Sequence, residues 1–322
     1  MGTLYIDRRD IHVKLDGNAL AFYSQGERQG IVPVNPLKRV VVVGHISIDT
    51  PVLHRLADGG ASVVFLSGKR LRFCGMLHGK VHNNGLLRIR QYDKSTSRFA
   101  LDTARDIVLR KVIGQRDLLE EVKGRRPDLR LELTTAIRVL SGTIETIQAQ
   151  NAGVDTLRGH EGGAGAAYFS AYTAMFPDSL EFERRNRRPP EDPVNAMLSL
   201  CYTLLHYEMV REIEVIGLDP TIGFFHRFVY GRDSLACDLV EPYRPDVDRF
   251  VWELFRDRKF AARDFAHDDE KPGCYLKKES RKRFYPEYEE WAKMMRPVWA
   301  EEVRNLARRI MDGKDPLSER DQ

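Results

Sequence analysis

The chain of 322 residues lacks two features that would set its environment, namely long apolar runs and paired cysteines. No stretch approaches the roughly 18 apolar residues that suggest a membrane-spanning helix, and the N-terminus does not have the basic and then apolar pattern of a signal peptide. The four cysteines form no CxxC pair, which argues against a zinc ribbon and a disulfide framework. We therefore expect a cytoplasmic protein that has no membrane segment and is long enough for two domains.

A strong charge of one sign is also absent, because 51 lysines and arginines face 47 aspartates and glutamates, for a net charge of +4. The basic residues are concentrated near the front, where the first 88 residues carry 12 basic against 6 acidic side chains. This bias is compatible with a polyanionic partner such as DNA, since lysine and arginine displace counterions from a phosphate backbone. The bias alone does not demonstrate such a partner.

The first 80 residues have the pattern of short strands. The runs LYID, IHVKL, ALAFYS and GIVPV are rich in β-branched and aromatic residues and are separated by Asp-Gly, Gln-Gly and Pro signals, and LKRVVVVG and SVVFLS predict two more strands. Between the last two, DTPVLHRLADGG predicts a short helix with Asp49 or Thr50 as N-cap and Gly59 as its stop. We predict a small, sandwich-like β-rich domain over residues 1–85.

Helical periodicity begins near the Asn-Asn-Gly sequence at residues 83–85. Apolar residues recur at helical spacing in KSTSRFALDTARDIVLRKVIGQRDLL and LRLELTTAIRVLSGTIETIQ, and PVNAMLSLCYTLLHYEMVREIEVIG predicts a long helix that is buried on several sides. The segment FERRNRRPPEDP is too polar and too rich in proline for a helix and predicts a loop. The predicted fold class is therefore α+β, with a larger all-α domain over residues 86–322.

One stretch, GLDPTIGFFHRFVYGRDSLACDLVEPYRP, places acids inside an apolar segment. His226 lies 12 residues before Asp238 and 15 before Glu241. If the two acids share a helix, their spacing of three places them on one face, and the YGRDS turn can bring His226 back to them. Glu161, in LRGHEGGAGAAYFSAY, is a further candidate, because its small neighbours let a backbone or a phosphate approach closely. Oxygen ligands with one imidazole suit Mg²⁺ or Mn²⁺.

Each of these residues also has an ordinary structural interpretation. A lone histidine near an apolar face is more often a core or surface residue than a ligand. Asp238 is equally able to pair with Arg244 or to cap a helix, and the Glu-Pro sequence at Glu241 is typical of a helix start. The spacing by itself therefore leaves both interpretations open.

Considered together, GLDPTIGFFH, the YGR turn, SLACDLVEPYRPDVDR and RGHEGGAGAAYF resemble the CRISPR-associated integrase of spacer acquisition, the larger catalytic subunit of the adaptation complex. The resemblance covers the whole chain. It implies that Glu161, His226 and Glu241 are catalytic ligands of Mg²⁺ or Mn²⁺, and that Asp238 supports the site or shares the metal. Asn195, in DPVNAMLSL, resembles a family asparagine on the helix that faces the site.

The resemblance also implies an activity and a set of partners. A 3′-hydroxyl of an incoming DNA fragment would attack a phosphodiester at a CRISPR repeat end, and water attacking the same phosphate would hydrolyse DNA. The chain would form a homodimer largely through its β-rich domain, and two such dimers would flank a dimer of a small ferredoxin-like subunit in a hetero-hexamer. Two other functions stay open: an endonuclease of branched or single-stranded DNA that does not integrate, and a DNA-binding scaffold with an inactive site.

Candidate DNA contacts are concentrated in the loop before the long helix. Six residues with basic or amide side chains are predicted to bind DNA: Arg184, Arg185, Arg187, Arg188, Asn195 and Arg244. For the four loop arginines, the alternative is an ordinary solvated loop. Tyr168 and Tyr202 are either guides for a DNA end or core residues.

Overall fold

The computed structural model describes residues 2–69, 71–79, 82, 84–150, 152–186, 189–267 and 273–312. Its N-terminal strands are β1 (Thr3–Ile6), β2 (His12–Asp16), β3 (Ala19–Ser24), β4 (Glu27–Pro33), β5 (Arg39–Val43), β6 (Ser47–Ile48), β7 (Ser62–Leu66) and β8 (Phe73–Leu77). They form two four-stranded sheets with the orders β1-β5-β7-β8 and β4-β3-β2-β6. The first sheet is parallel except for β8, and the second is antiparallel except for β6.

The central strand β5 is buried on both faces, as its run of valines requires. Val40 and Val42 lie in the core between the two sheets, together with Leu20 of β3. Val41 and Val43, on the opposite face, lie in the core that this sheet shares with the helices. Each buried valine stabilises the fold by roughly 1.5–3 kcal/mol. The first sheet is therefore the layer between the second sheet and the helical part, and the predicted β-rich front is confirmed.

Helices make up most of the remaining chain. They are α1 (Thr50–Asp58), α2 (Gly85–Ser95), α3 (Arg98–Arg125), α4 (Arg130–Ala149), α5 (Val154–Thr173), α6 (Pro193–Ile216), α7 (Ser234–Val240), α8 (Arg244–Arg256) and α9 (Lys278–Met311). The central helix α6 is buried along most of its length. It begins after Asp192, whose carboxylate accepts a hydrogen bond from the backbone N of Asn195 at 2.8 Å, and it ends at Gly217 with φ of 96°.

The prediction of a purely helical back half is wrong in one place. The short strands β9 (Phe265–His267) and β10 (Cys274–Leu276) pair in antiparallel fashion. Strands of three residues are too short to show a recognisable alternation of polar and apolar side chains. The helical segment predicted from Lys94 is also divided, because α2 ends and α3 begins after Ser97, whose Oγ accepts a hydrogen bond from the backbone N of Phe99 at 3.2 Å.

The change from strands to helices falls where the sequence indicates. The last N-terminal strand, β8, ends at Leu77, and α2 begins at Gly85 with Asn84 as its N-cap, since Oδ1 of Asn84 accepts a hydrogen bond from the backbone N of Leu87 at 3.1 Å. A domain boundary at this point stays a prediction. Within the described ranges, no helix is long and apolar enough to cross a membrane.

Candidate active site

Glu161 lies on α5 beside an open surface. Its side chain is 28% exposed, and three glycines follow within four residues: Gly162, Gly163 and Gly165. A Cβ at any of these glycines would meet no atom within 4 Å, so the packing of the chain does not require them. Because a glycine inside a helix costs roughly 0.5–1 kcal/mol relative to alanine, this surface is kept open at a cost in stability.

The loop between α6 and α7 folds around one buried carboxylate. Asp238, on α7, accepts hydrogen bonds from the backbone N–H groups of Phe224, Phe225 and His226 at N···O distances of 2.5, 2.9 and 2.9 Å. Its Oδ1 also lies 2.7 Å from Nδ1 of His226. Gly223 permits this arrangement, because a Cβ there would lie 2.8 Å from Oδ2 of Asp238. One fully buried acid therefore fixes both the loop and the imidazole ring.

This contact determines which nitrogen of His226 faces a ligand. A carboxylate accepts a hydrogen bond from the ring, so Nδ1 carries the proton and Nε2 keeps its lone pair. Four donors already surround the two oxygens of Asp238. Of the two roles that the sequence leaves open for Asp238, the geometry favours supporting the site over sharing a metal.

Glu241 follows α7 in a short 3₁₀ turn, where its carboxylate lies between two cations. Nε of Arg244 is 2.8 Å from Oε1, and Nζ of Lys111 is 2.6 Å from Oε2. Burial alone would raise the pKa of Glu241, but the charges of Arg244 and Lys111 outweigh burial and hold the pKa well below its usual range. A protonated His226 would act in the same direction, and its imidazole lies within electrostatic reach of Glu241.

Lys111, on α3, is a site residue that the sequence analysis missed. Its ammonium group pairs with Oε1 of Glu161 as well as with Glu241, so that one cation bridges two carboxylates. The Lys111 side chain is only 8% exposed. The sequence did contain an indication. Lys111 lies on the buried face of α3, three residues after Val108, at a position where an apolar side chain is expected.

The donor types at this site fit a hard divalent cation. Glu161 and Glu241 bring oxygens to one place, and His226 offers Nε2. Oε2 of Glu241 is buried, and Nζ of Lys111 lies 2.6 Å from it. Among the residues that the structure describes, no group of three or more His, Cys, Asp or Glu side chains is already arranged to hold a metal. The ligand set therefore stays a prediction.

A second buried group connects the arginine-rich loop to this site. The guanidinium groups of Arg244 and Arg185 lie 4.5 and 5.5 Å from the ring centroid of Tyr202. The hydroxyls of Tyr202 and Tyr168 donate to the carboxylate of Asp248, with the latter at 2.9 Å. Burial raises the pKa of Asp248 to about 6 although both hydrogen bonds oppose it. Both tyrosines are therefore core residues, and Asp248 is a buried acid that the sequence analysis missed.

The residues predicted to bind DNA differ in how far their side chains are exposed to solvent. Arg184 is exposed, whereas Arg185 is half-buried and donates to Oδ1 of Asn195 at 2.5 Å. Asn195 is fully buried, and its Nδ2 donates to the backbone O of Arg184 at 2.8 Å. Asn195 therefore holds the loop in place and has no exposed surface to offer to DNA. Arg187 and Arg188 lie outside the described residues.

With this geometry in place, comparison with known proteins decides the family. The sequence profile described as "CRISPR associated protein Cas1" matches residues 4–290, most of the chain. The chain belongs to the Cas1 family. The resemblance found in the sequence motifs is therefore confirmed.

Curated Cas1 relatives match along nearly the whole chain. The CRISPR-associated endonuclease Cas1 1 of Thermodesulfovibrio yellowstonii is 52% identical over 318 residues, which cover 99% of this chain and 100% of that protein. The CRISPR-associated endonuclease Cas1 2 of Rhodospirillum rubrum is 34% identical over 84% of this chain and 80% of its own length.

Solved structures show the same fold. A Cas1 protein from Thermotoga maritima matches with a TM-score of 0.83 at 24% identity, over 98% of each chain. A casposase bound to its integration product matches with a TM-score of 0.83 at 20% identity, over 98% of this chain and 92% of that one. At these identities the likeness shows the Cas1 fold alone, and the predicted order of a β-rich front and a helical back is confirmed.

Proposed function

We propose that this Cas1 family member is a divalent-metal-dependent DNA integrase with endonuclease activity, which inserts DNA fragments into a CRISPR array. The observation that carries the proposal is the convergence of Glu161 and Glu241 at one position, within electrostatic reach of an imidazole that Asp238 orients. Its relatives at 52% and 34% identity are named CRISPR-associated endonucleases, which supports chemistry at a phosphodiester.

The proposed ligands are Glu161, Glu241 and Nε2 of His226, with Mg²⁺ or Mn²⁺ as the cation that these donors favour. When bound, the cation would stabilise the negative charge that develops on the phosphate during the reaction. Asp238 keeps the imidazole in the tautomer whose Nε2 is available, and Arg244 orients the Glu241 carboxylate through its contact at 2.8 Å. Side chains outside the ligand set thus fix the ligands before DNA arrives.

The proposed reaction is a transesterification. The 3′-oxygen of the incoming fragment forms a bond to the phosphorus at the repeat end, and the bond from that phosphorus to its own 3′-oxygen breaks, so that this oxygen leaves as a hydroxyl. Water in place of the incoming 3′-hydroxyl gives hydrolysis. One site permits both outcomes, so the positioning of DNA decides between them. Exposed Arg184 and the glycine surface after Glu161 are the places where we expect phosphates to approach.

We infer that the protein acts as a homodimer formed largely through its β-rich part. Strand β4 lies at a sheet edge and is exposed along nearly its whole length, with Ile31 49% exposed. An exposed edge strand offers unpaired backbone groups to another chain. The fold also matches a solved Cas6-RT-Cas1–Cas2 complex, with a TM-score of 0.82 at 22% identity. The name of that complex supports a Cas2 partner. The ferredoxin-like fold of the partner and the hetero-hexamer are part of the proposal on the ground of the sequence resemblance alone.

Two alternatives predict different products. An endonuclease of branched or single-stranded DNA would cut its substrate without joining a fragment to a second DNA. A catalytically inactive scaffold would bind DNA and would be indifferent to the loss of the Glu241 carboxylate. The basic surfaces are untouched by that substitution, so binding and chemistry can be separated.

Strand joining tests the proposal directly. Labelled duplex DNA with free 3′-hydroxyls is mixed with a supercoiled CRISPR plasmid, the small partner and Mn²⁺, and wild type is compared with Glu241→Ala. Label in the plasmid only with wild type is the expected result. Cutting without joining would favour the endonuclease. DNA binding by both proteins with neither product, in Mn²⁺ or Mg²⁺, would contradict the mechanism and favour the scaffold.

A further inference from the structure

We propose that Lys111 is an internal counter-cation of the metal-free protein, and that a divalent cation binds only by displacing its ammonium group from Glu161 and Glu241. The inference rests on the proposed function, because it takes these two carboxylates as metal ligands. Metal binding is then an exchange of one cation for another. Lys111 is a positioning residue in this scheme, since it sets the arrangement and the availability of the carboxylates.

The ammonium group uses the oxygens that a metal would need. Nζ of Lys111 pairs with Oε1 of Glu161 and lies 2.6 Å from Oε2 of Glu241. The remaining oxygen of Glu241, Oε1, already pairs with Arg244 at 2.8 Å. A cation with oxygen ligands at about 2.0–2.1 Å cannot share this space with an ammonium group. Lysine and metal therefore compete for the same two oxygens.

The fold holds Lys111 in this position by close packing of α3 against the turn that carries Glu241. Gly114 lies nearly one helical turn after Lys111, and a Cβ there would come within 3.0 Å of Cγ of Pro245. The glycine thus lets α3 approach the segment that follows Glu241. As a result the lysine is nearly buried, in a position where a lysine is seldom found without a partner.

Lysine is also the cation that can leave. An ammonium group is a compact charge on a flexible stem, whereas a guanidinium group makes two directed hydrogen bonds to one carboxylate. Lys111 makes one contact with each carboxylate, to Oε1 of Glu161 and, at 2.6 Å, to Oε2 of Glu241. Its displacement therefore breaks no bidentate pair. The neighbouring Arg244 can keep Glu241 in place during the exchange.

Opposite effects on stability and metal binding follow from this arrangement. Without Lys111, two carboxylates would face each other with less neutralising charge, and the metal-free fold would lose stability. A divalent cation would then meet no competitor. Lys111→Met should therefore lower the melting temperature of the metal-free protein and tighten Mn²⁺ binding, whereas a merely structural lysine would lower both stability and affinity.

Mn²⁺ binding to the full chain, measured by titration calorimetry in the absence of DNA, tests the exchange. We expect Lys111→Met to bind Mn²⁺ about tenfold or more tightly than wild type, because a buried competing charge has been removed. Its melting temperature should also rise further on adding Mn²⁺. The control is Lys123→Met on the same helix, whose ion pair with Glu120 at 2.5 Å lies elsewhere, and which should bind Mn²⁺ as wild type does. Equal or weaker binding by Lys111→Met would overturn the inference.

A third variant separates failure of the exchange from failure of the metal site. Glu241→Gln should abolish most Mn²⁺ binding if the proposed site is correct. If Glu241→Gln loses binding while wild type and Lys111→Met bind equally, the site stands and the exchange is wrong. If Glu241→Gln binds Mn²⁺ as wild type does, the metal site and the exchange that rests on it are both wrong.

Amine labelling of the wild-type protein tests the same step without any variant. An acetylating reagent is applied with and without saturating Mn²⁺, and each lysine is quantified by mass spectrometry. Lys111 should be nearly unreactive without the metal and several-fold more reactive with it, while Lys123 should not change. Labelling of Lys111 that is the same in both conditions would overturn the inference, whether or not Lys111→Met folds.

Discussion

Two buried charge clusters in this molecule resemble each other in composition but differ in how their charges are satisfied. The junction cluster (Arg39, Glu208, Glu289 and Arg296) connects β5 to α6 and α9. Oε2 of Glu208 accepts from Arg39 at 2.6 Å, and its Oε1 accepts from Arg296 at 2.7 Å. Arg296 also donates twice to Glu289, at 2.8 Å each. Every carboxylate of this cluster is therefore satisfied by a guanidinium group.

The site cluster (Lys111, Glu161, Glu241 and Arg244) is left open in comparison. One lysine bridges its two carboxylates, Nζ of Lys111 lies 2.6 Å from Oε2 of Glu241, and the Glu161 side chain is 28% exposed. An arginine network closes on itself through directed, bidentate bonds, whereas a lysine bridge can be exchanged for another cation. The difference teaches that burial and ion pairing alone do not mark a functional site, and that the type of cation and its place beside an open surface distinguish the two clusters.

Removing one carboxylate from each cluster should separate their roles most strongly. Glu241→Gln should reduce strand joining and cutting by about 10³-fold, because a proposed ligand is lost where charge develops. Glu208→Gln removes the same charge from a residue that is 6% exposed, against 5% for Glu241, and should retain activity per folded molecule. The measurement is the initial rate of product formation, normalised to the folded fraction. Similar losses in both variants would remove the distinction between the clusters.

A substitution in the junction cluster should instead lower the stability of the fold. Glu208→Gln removes the carboxylate that Arg39 and Arg296 share, although Arg39 keeps Glu212 and Arg296 keeps Glu289. We expect the free energy of unfolding to fall by roughly 1.5–3 kcal/mol. Urea denaturation of the full chain measures this change. A loss below about 1 kcal/mol, typical of surface pairs, would show that the junction network contributes little to holding the sheet against the helices.

The role of Asp238 can be separated from that of a ligand. Asp238→Asn keeps one acceptor but places an amide against backbone donors, so the orientation of His226 should be loosened. We expect activity and Mn²⁺ affinity to fall together by about 10–100-fold, as for other residues that orient metal ligands. A loss as large as that of Glu241→Gln would instead make Asp238 a ligand.

Local sequence was sufficient for part of this molecule. The run LKRVVVVG predicted a strand, the apolar segment at residues 193–217 predicted the long helix α6, and the motifs around Glu161, His226 and Glu241 indicated the family. Each of these signals lies within a few residues of the feature it predicts. The corresponding backbone elements and the family are confirmed.

Other features depend on which helices meet in space. Lys111 is separated from Glu161 by 50 residues, and no local pattern indicates that α3 brings it to the site. Asp248 stands in an amphipathic helix in which an acid is unremarkable until two tyrosines cover it. Asn195 was predicted at the DNA surface, but the loop over it makes it a buried support. Contacts between residues that are distant in sequence could therefore not be predicted from the sequence alone.

Asp248 and Glu241 should also make the stability of the fold depend on pH in opposite directions. Burial raises the pKa of Asp248 from 3.8 to about 6, so the folded chain binds this proton more readily than the unfolded chain, and stability falls as the pH rises between these values. The lowered pKa of Glu241 contributes stability that is present above its ordinary value of 4.5 and is lost only in more acidic solution.

Asp248→Asn isolates the first effect. We compare the unfolding free energy of the variant with that of wild type at each pH. This difference should favour the variant by about 2 kcal/mol more at pH 7 than at pH 4.5, since the asparagine side chain stays neutral at both values. Urea unfolding at the two pH values gives this difference. A variant whose stability relative to wild type is the same at both would contradict the raised pKa.

The smallest effect concerns the glycines of α5. Gly165 lies four residues after Glu161 on the same helix face, and a Cβ there would meet nothing within 4 Å. Gly165→Ala should therefore stabilise the chain by about 0.5–1 kcal/mol. If the open surface serves DNA, the same variant should join strands more slowly, because the methyl group stands where a phosphate approaches.

Gly142→Ala, on α4, is the matched control. A Cβ at Gly142 also meets nothing within 4 Å, so it should give the same gain in unfolding free energy with no change in strand joining. Urea denaturation and the joining rate are measured for both variants. Gains in stability in both with a slower rate only for Gly165→Ala would tie the cost of the glycine surface to DNA. Unchanged joining in both would mean that the surface beside Glu161 is open for no purpose in this reaction.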